Sequence, residues 1–401
     1  MINRRSAIAL TLASPLALGA ALERRPQGKS RPIAQFPFEL LANAIFIQAK
    51  LNGKGPFLFS LDTGSSNSVI ASELIGELGI GTGSTFASTG AGSDSNTAAT
   101  IDRLEFEFPG GMRRTVTDGA AVSMSGLWQL LARRFYGSIG FDVLHPYVVE
   151  IDYAGRTSSL FDPASYSPML ALPAHMYGSY DPQVDGAIEV PGRPPIPVRF
   201  TLDTGAGGTI VSSPLVDKYD LVNATRKVTK TQDKGVGGAE PSEVMARLSA
   251  IRIGPYLLDK PLVALSRDKM GSLANEAISV NLGGNILPRF TVIIDYPSKR
   301  VGLRPNRHFA EPFRSDASGL LLSADANDFH KFTVDSVIPG SPAEGLLTPG
   351  DIILSANGKP AADYALWQLE ELLKNDGSTV HLSVQRRGQT AAMTLKLRSL
   401  L

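Results

Sequence analysis

The 401-residue chain contains no cysteine. That removes disulfides, thiolate nucleophiles and cysteine–zinc sites together. An excess of one charge is also missing: 39 Lys and Arg against 38 Asp and Glu leave a net charge of +1, so nothing points to a nucleic-acid surface. The five histidines (His145, His175, His308, His330 and His381) lie far apart without ligand spacing, which speaks against a zinc site and for surface or core roles. No Gly-x-Ser-x-Gly elbow is present, and Ser266-Arg267-Asp268-Lys269 matches a Ser-x-x-Lys pattern in two residue types only, which is poor support for a serine nucleophile. Beyond the N-terminus no segment is apolar enough to span a bilayer.

The N-terminus reads Met1-Ile2-Asn3-Arg4-Arg5, then an apolar stretch from Ala7 to Leu22 with small residues at Gly19-Ala20-Ala21. A basic start, a short apolar run and small residues match an export signal, expected over 1–22. The Arg4-Arg5 pair is compatible with a twin-arginine type. The stretch is short for a membrane span and is interrupted at Ser14-Pro15. The expectation is an exported protein, periplasmic or extracellular, touching a membrane only if this segment stays uncleaved. Residues to about Gln35 then read as a basic leader.

With 39 Gly and 27 Pro, the remainder suits many short strands and tight turns, and its length calls for two or three domains. Asp-Thr-Gly occurs twice, at Asp62-Thr63-Gly64 and Asp203-Thr204-Gly205, each time ending an apolar run. The two Asp are 141 residues apart (203 − 62), and at that offset Val69, Ile70, Leu74 and Ile75 fall on Ile210, Val211, Leu215 and Val216. Further on, Ile139-Gly140-Phe141-Asp142-Val143-Leu144 answers Leu282-Gly283-Gly284-Asn285-Ile286-Leu287 at an offset of 143 (283 − 140). Ile151-Asp152-Tyr153 and Ile294-Asp295-Tyr296 keep that offset. The chain is therefore an internal duplication with a period near 140. Asp152 and Asp295 are assigned to strand-end turns.

Two carboxylates presented alike and close together cannot both ionise readily, so they share a proton. One then serves as base and the other as acid, the arrangement needed to hydrolyse an amide. No metal or cofactor is called for.

The first unit is placed at 36–163 and the second at 185–306, with a linker at 164–184. The first opens on a hairpin around Asn52-Gly53; Ser72 to Leu78 suits a short helix. Gly-rich segments follow each Asp: Gly90-Ala91-Gly92 in the first unit, and Gly235-Val236-Gly237-Gly238 in the second. Both have the composition of a hairpin or loop. Each unit thus resembles the half of a retropepsin-like or pepsin-like aspartic peptidase: a strand ending in Asp-Thr-Gly, a flap-like hairpin and an apolar-apolar-Gly segment. The resemblance covers about 36–306. It implies a mainly β fold in which two barrel halves pair about a pseudo-twofold axis. Asp62 and Asp203 would hold the lytic water. Thr63 and Thr204 would bond across the axis, and Gly64 and Gly205 would let the loops approach. Gly90, Gly92, Gly235 and Gly237 are flap candidates, although neither segment carries the tyrosine usual in pepsins. After the Gly the copies differ, Ser65 against Ala206. The expectation is that the Ser65 hydroxyl donates to Asp62 and favours its charged form, leaving Asp203 the more readily protonated partner.

From about Ser315 the repeat ends. Phe332 to Val337 leads to Gly340-Ser341-Pro342-Ala343, Pro349-Gly350-Asp351-Ile352-Ile353 and an Asn357-Gly358 turn. Residues 315–398 resemble a protease-associated bacterial PDZ domain, an α+β module. The resemblance implies that Gly319-Leu320-Leu321-Leu322 is the peptide-binding loop, its N–H groups receiving a chain-terminal carboxylate while the peptide adds as a strand. Leu366, Leu369 and Leu373 fall at helical spacing, mostly as core.

The sequence thus points to an aspartic endopeptidase acting on polypeptides, with a PDZ domain for a peptide or protein C-terminus. The contrasting expectation is an idle peptide-binding scaffold that works through its PDZ domain. A third arrangement pairs the two halves between chains rather than within one.

Overall fold

The computed structural model describes residues 31–401, apart from 90–94, 167–171, 174, 178–179, 226–227 and 231–242. The N-terminal reading and the four flap glycines lie outside the described residues. Among the described residues no helix is long and apolar enough to cross a membrane.

Each repeat builds a ten-stranded sheet, and the two sheets have the same strand order. In the first, Lys54–Leu61 carries the chain to Asp62 and lies between Ala44–Leu51, antiparallel, and Gly137–Ile139, parallel. In the second, Ile196–Leu202 leads to Asp203 between Asp181–Glu189 and Val280–Leu282 in the same senses. The second repeat therefore begins at Asp181, inside the stretch assigned to the linker. That stretch also holds the short strands Leu172–Pro173 and His175–Tyr177. Its lack of periodicity hid them because each is too short to show an alternation.

The Asn52-Gly53 hairpin has φ of 49° and 78°, the left-handed pair that a type I′ turn demands. The segment after Ala71 becomes a 3-10 turn, Ser72–Leu74, running into the helix Ile75–Leu78. Gly79, at φ 66°, ends it in a left-handed cap.

A six-stranded sheet joins the halves. At its centre Val148–Asp152 pairs antiparallel with Phe290–Asp295, and Val148 meets Asp295 while Asp152 meets Thr291. Glu150 pairs with Ile293, its own counterpart at offset 143. The pseudo-twofold axis passes through that pair, so the halves are joined within one chain. The strands beneath both Asp are buried along their last turns, Leu58–Leu61 and Phe200–Leu202. One apolar core spans both repeats, with Phe59, Leu61, Phe200 and Leu202 at its middle. Burying a side chain of that size contributes about 1.5–3 kcal/mol.

The C-terminal part has its own sheet, with Leu320–Ala324 at one edge beside Phe332–Val337, then Ile352–Ala356, Thr379–Arg386 and Gln389–Lys396. The helix Leu366–Leu373 buries Leu366, Leu369 and Leu373 in a core separate from that of the repeats. Asp351, 1% exposed, accepts two bonds from the Arg386 guanidinium at 2.7 and 2.5 Å, a bidentate pair that closes this module. The helix Ser125–Leu131 of the first repeat lies against the edge strand Leu320–Ala324, and Ala132 packs on the module's core.

Separate cores predict separate sensitivities. Leu369→Ala should cost the C-terminal module about 2–5 kcal/mol. Calorimetry should show its transition falling while that of the duplicated body stays in place.

Candidate active site

Both Asp stand just past the last residue of a buried strand, two residues before a Gly. Each half holds the other. Thr63 Oγ1 donates to the Leu202 carbonyl at 2.6 Å, and Thr204 Oγ1 donates to the Leu61 carbonyl at 2.5 Å. In return each hydroxyl accepts from the other loop's backbone, Thr63 N to Thr204 Oγ1 at 3.2 Å and Thr204 N to Thr63 Oγ1 at 3.1 Å. Both threonines are fully buried, where such bonds are strong and their loss expensive.

The glycines follow from that grip. A Cβ on Gly64 would lie 2.7 Å from Asp203 Cγ, and one on Gly205 would lie 2.5 Å from Asp62 Cγ. The two carboxyls are thus packed against the opposite loop. Behind them a mirrored brace fixes each loop. In the first half Ser68 donates to Asp142 through N at 2.8 Å and Oγ at 2.7 Å, while Gly140 N donates to Ser68 Oγ at 3.2 Å. In the second, Thr209 Oγ1 donates to Asn285 Oδ1 at 2.7 Å and Gly283 N donates to Thr209 Oγ1 at 3.2 Å. A Cβ on Gly140 or Gly283 would strike the carbonyl of Ser65 or Gly208.

The electrostatics of the pair are unequal. Asp203 accepts three N–H donors: Gly205 N at 2.9 Å and Ala206 N at 3.0 Å on Oδ1, and Asn281 Nδ2 at 2.7 Å on Oδ2. Asp62 accepts Gly64 N at 3.0 Å on Oδ1. Burial and then the adjacent Asp203 charge hold the Asp62 carboxyl well above the usual carboxylate range, against the opposing Gly64 N–H. The expected role of Ser65 is overturned. Its hydroxyl donates to the Asn67 carbonyl at 2.8 Å instead of to Asp62, because a local turn acceptor two residues on is nearer to hand. The three N–H donors thus lie on Asp203 and the upward shift on Asp62, contrary to the expectation that Ser65 would favour the charged form of Asp62.

Asn281 was not anticipated. Its signal was an amide in the middle of an otherwise apolar, buried strand, Val280-Asn281-Leu282. At the matching place in the first half stands Ser138, opposite Ser60 as Asn281 is opposite Thr201.

Other candidates do not converge on the site. Lys269 is 3.6 Å from Asp217, and Ser266 Oγ accepts the Asp268 N–H, so Ser266 and Lys269 form no catalytic pair. His145 contacts the Phe141 carbonyl and His308 contacts Glu311. Among the described residues no His, Asp or Glu cluster could hold a metal. Asp152 and Asp295 accept turn N–H groups from Gly155 and Ser298. The strands that flank the first flap candidates, Thr85–Thr89 and Ser95–Ile101, pair as a hairpin. Val228–Lys230 and Val244–Arg247 do the same in the second half.

The PDZ-like loop also departs from expectation. Leu320 and Leu322 are buried core residues of an edge strand, and Gly319, at φ 78°, makes the turn into it. Leu321 lies beside a register shift in that strand's pairing. Two of the N–H groups expected to receive a peptide carboxylate are already engaged: Gly319 N donates to Asp316 Oδ2 at 2.5 Å, and Leu320 N donates to Ser318 Oγ at 3.0 Å. The chain's own carboxyl occupies the cradle.

Residues 47–142 match the aspartyl protease family model, and 333–386 match the PDZ domain model. The aspartic proteinase from Irpex lacteus resembles the chain with a TM-score of 0.43 and 14% identity, over 70% of this chain and 99% of that one. A photosystem II D1 C-terminal processing protease resembles 23% of this chain and covers 25% of its own, with a TM-score of 0.21 and 21% identity. Among curated proteins, the pro-apoptotic serine protease NMA111 of Coccidioides immitis (strain RS) is 29% identical over 146 residues, 36% of this chain. The match spans 12% of that protein's length.

Thr204→Val keeps the shape and removes the hydroxyl that accepts Thr63 N and donates to Leu61 O. It should lower unfolding free energy by about 1–3 kcal/mol, read as a shifted urea midpoint at unchanged slope.

Proposed function

We propose that the protein is an aspartic endopeptidase whose dyad is Asp62 and Asp203. The observation that carries this reading is the pair of Asp-Thr-Gly loops locked across the axis by four hydrogen bonds, with unequal numbers of donors on the two carboxyls.

In the resting dyad Asp62 holds the proton and Asp203 is the carboxylate. Water bound between them loses a proton to Asp203 as its oxygen attacks the scissile carbonyl carbon. The proton on Asp62 passes to the carbonyl oxygen, which gives a neutral gem-diol. One diol hydroxyl then returns its proton to Asp62, Asp203 gives its proton to the amide nitrogen, and the C–N bond breaks. A carboxylic acid and an amine leave, and both Asp regain their starting states. Proton transfers of this kind contribute typically 10²–10⁴-fold each.

Substrates are extended polypeptide segments. The hairpin Thr85–Thr89/Ser95–Ile101 and its counterpart in the second half supply the walls that would cover them. At the C-terminal module a peptide that adds to the edge strand Leu320–Ala324 must displace both the Asp316 carboxyl from the Gly319 N–H and the helix Ser125–Leu131 that lies against the strand. The basic-then-apolar start supports an exported, periplasmic or extracellular enzyme.

The test is cleavage of an unstructured protein by the purified chain from pH 3 to 9, beside Asp62→Asn and Asp203→Asn. Both variants should lose at least about 10²-fold in kcat/KM. The proton on Asp62 is required, and its pKa is raised, so activity persists above the ordinary Asp range of about 4. It falls only as pH rises through the raised value. No cleavage by a folded wild-type chain that still binds a C-terminal peptide would replace this reading with the scaffold one.

A further inference from the structure

The duplication makes any departure from symmetry around the dyad conspicuous, and the largest is a third carboxyl. In the second half Gln183 pairs with Thr201 and Val184 with Phe200. Carried two residues further, that register sets Asp181 opposite Asp203. In the first half Phe46 pairs with Ser60, and the same step sets Ala44 opposite Asp62. The paired positions end at Gln183 with Thr201 and at Phe46 with Ser60, and two residues further along each strand the side chains return to the same face. The place taken by a methyl group beneath one catalytic Asp is thus taken by a carboxyl beneath the other.

Asp181 is 5% exposed, and its Oδ1 is sealed from solvent without a hydrogen-bond partner among the described residues. A buried carboxylate left so would be expensive; a neutral carboxylic acid is far cheaper. Two buried tyrosines lie within electrostatic reach of the same carboxyls. Tyr153 and Tyr296, the repeat-related pair that follows Asp152 and Asp295, are buried, and each hydroxyl lacks a partner among the described residues. The charge of Asp203 acts on both, and those of Asp181 and Asp62 act on Tyr296 as well. Arg156 acts on Tyr153. Gln183 is turned away to Thr201 Oγ1, and Asn281 is spent on Asp203.

We infer that Asp181 is a positioning residue of the dyad: a third carboxyl, opposite Asp203, that keeps the catalytic proton on Asp62 as the solution becomes less acidic. This rests on the peptidase reading above. Burial and then the Asp203 charge push Asp181 up to about 8. Below that it is neutral and leaves the dyad alone. As pH rises through it, Asp181 ionises, and its negative charge raises the affinity of Asp62 for its proton. The active, singly protonated dyad thereby survives to higher pH. The tyrosines stay neutral throughout, since burial raises both.

Asp181→Asn replaces the acid by a neutral group of the same shape. Its pH–kcat/KM profile should keep the acid limb, and its alkaline limb should move to lower pH by about one unit. An alkaline limb that stays, or moves up, overturns the proposal.

A second readout needs no activity. A carboxyl whose folded pKa is raised stabilises the fold below its unfolded pKa, and that stability is lost as pH rises through the folded value. Wild-type Tm should therefore fall between pH 5 and 9, and Asp181→Asn should fall less. Asp203→Asn should reduce the same slope, and the double variant should reduce it by less than the two single effects added. Additive slopes would show that Asp181 and Asp203 do not sense each other and would also overturn the proposal. An inactive wild-type chain with non-additive slopes would sink the peptidase reading alone.

Discussion

Four hydrogen bonds between Thr63 and Thr204 and the backbones they face carry the rest of the site. They lie in a sealed, dry interior, where a polar group must be fully satisfied or it destabilises the fold. Because each hydroxyl both donates to and accepts from the opposite half, neither loop can shift without breaking bonds in the other. The requirement for Gly64 and Gly205 follows from this closeness, since any side chain there would collide with a carboxyl. The outer braces, Ser68 with Asp142 and Thr209 with Asn285, then hold the loops from behind. Their polar atoms differ, but the geometry is the same.

Symmetry assembles the dyad, and its absence gives the two Asp different work. The central strands exchange partners about an axis through Glu150 and Ile293, which brings the two loops face to face. Identical surroundings would leave the shared proton equally placed. Asn281, with Ser138 as its counterpart, and the Ala206 N–H add donors on one side only. Asp181, with Ala44 as its counterpart, adds a buried carboxyl on that same side. Hydrogen bonds from N–H groups favour the ionised form, and burial beside a like charge favours the protonated form. Under the proposed mechanism the first acts on Asp203 through its three donors and the second on Asp62.

The C-terminal module keeps its own core, yet its edge strand faces the helix Ser125–Leu131 of the first repeat. An open edge strand invites pairing with another chain, and natural proteins cover such edges. Here the cover comes from the duplicated body, and Asp316 fills the loop that a terminal carboxylate would enter. Burial raises Asp316 above the usual carboxylate range, against the Ser318 hydroxyl and the loop N–H groups that bond it. The C-terminal module and the duplicated body are therefore in physical contact.

Much of this was legible in the sequence, because it depends on local patterns copied twice. The mainly β class, the Asp-Thr-Gly strands, the Asn52-Gly53 turn, the Gly140 and Gly283 segments and the Leu366–Leu369–Leu373 face all arise from residues close together in the chain. Short-range sterics and alternation decide such features. The rest was decided by the tertiary fold. Whether the Ser65 hydroxyl met Asp62 or Asn67 depended on how the loop turns after Gly64. Asp181 carries no motif, and the repeat of Tyr153 at Tyr296 gives no hint of a role; both come near the two Asp only because strand register and the pseudo-twofold axis bring residues of both repeats together. Repetition in a sequence can reveal which residues form a pair. How the pair's proton is shared is set by every group that register and packing place around it.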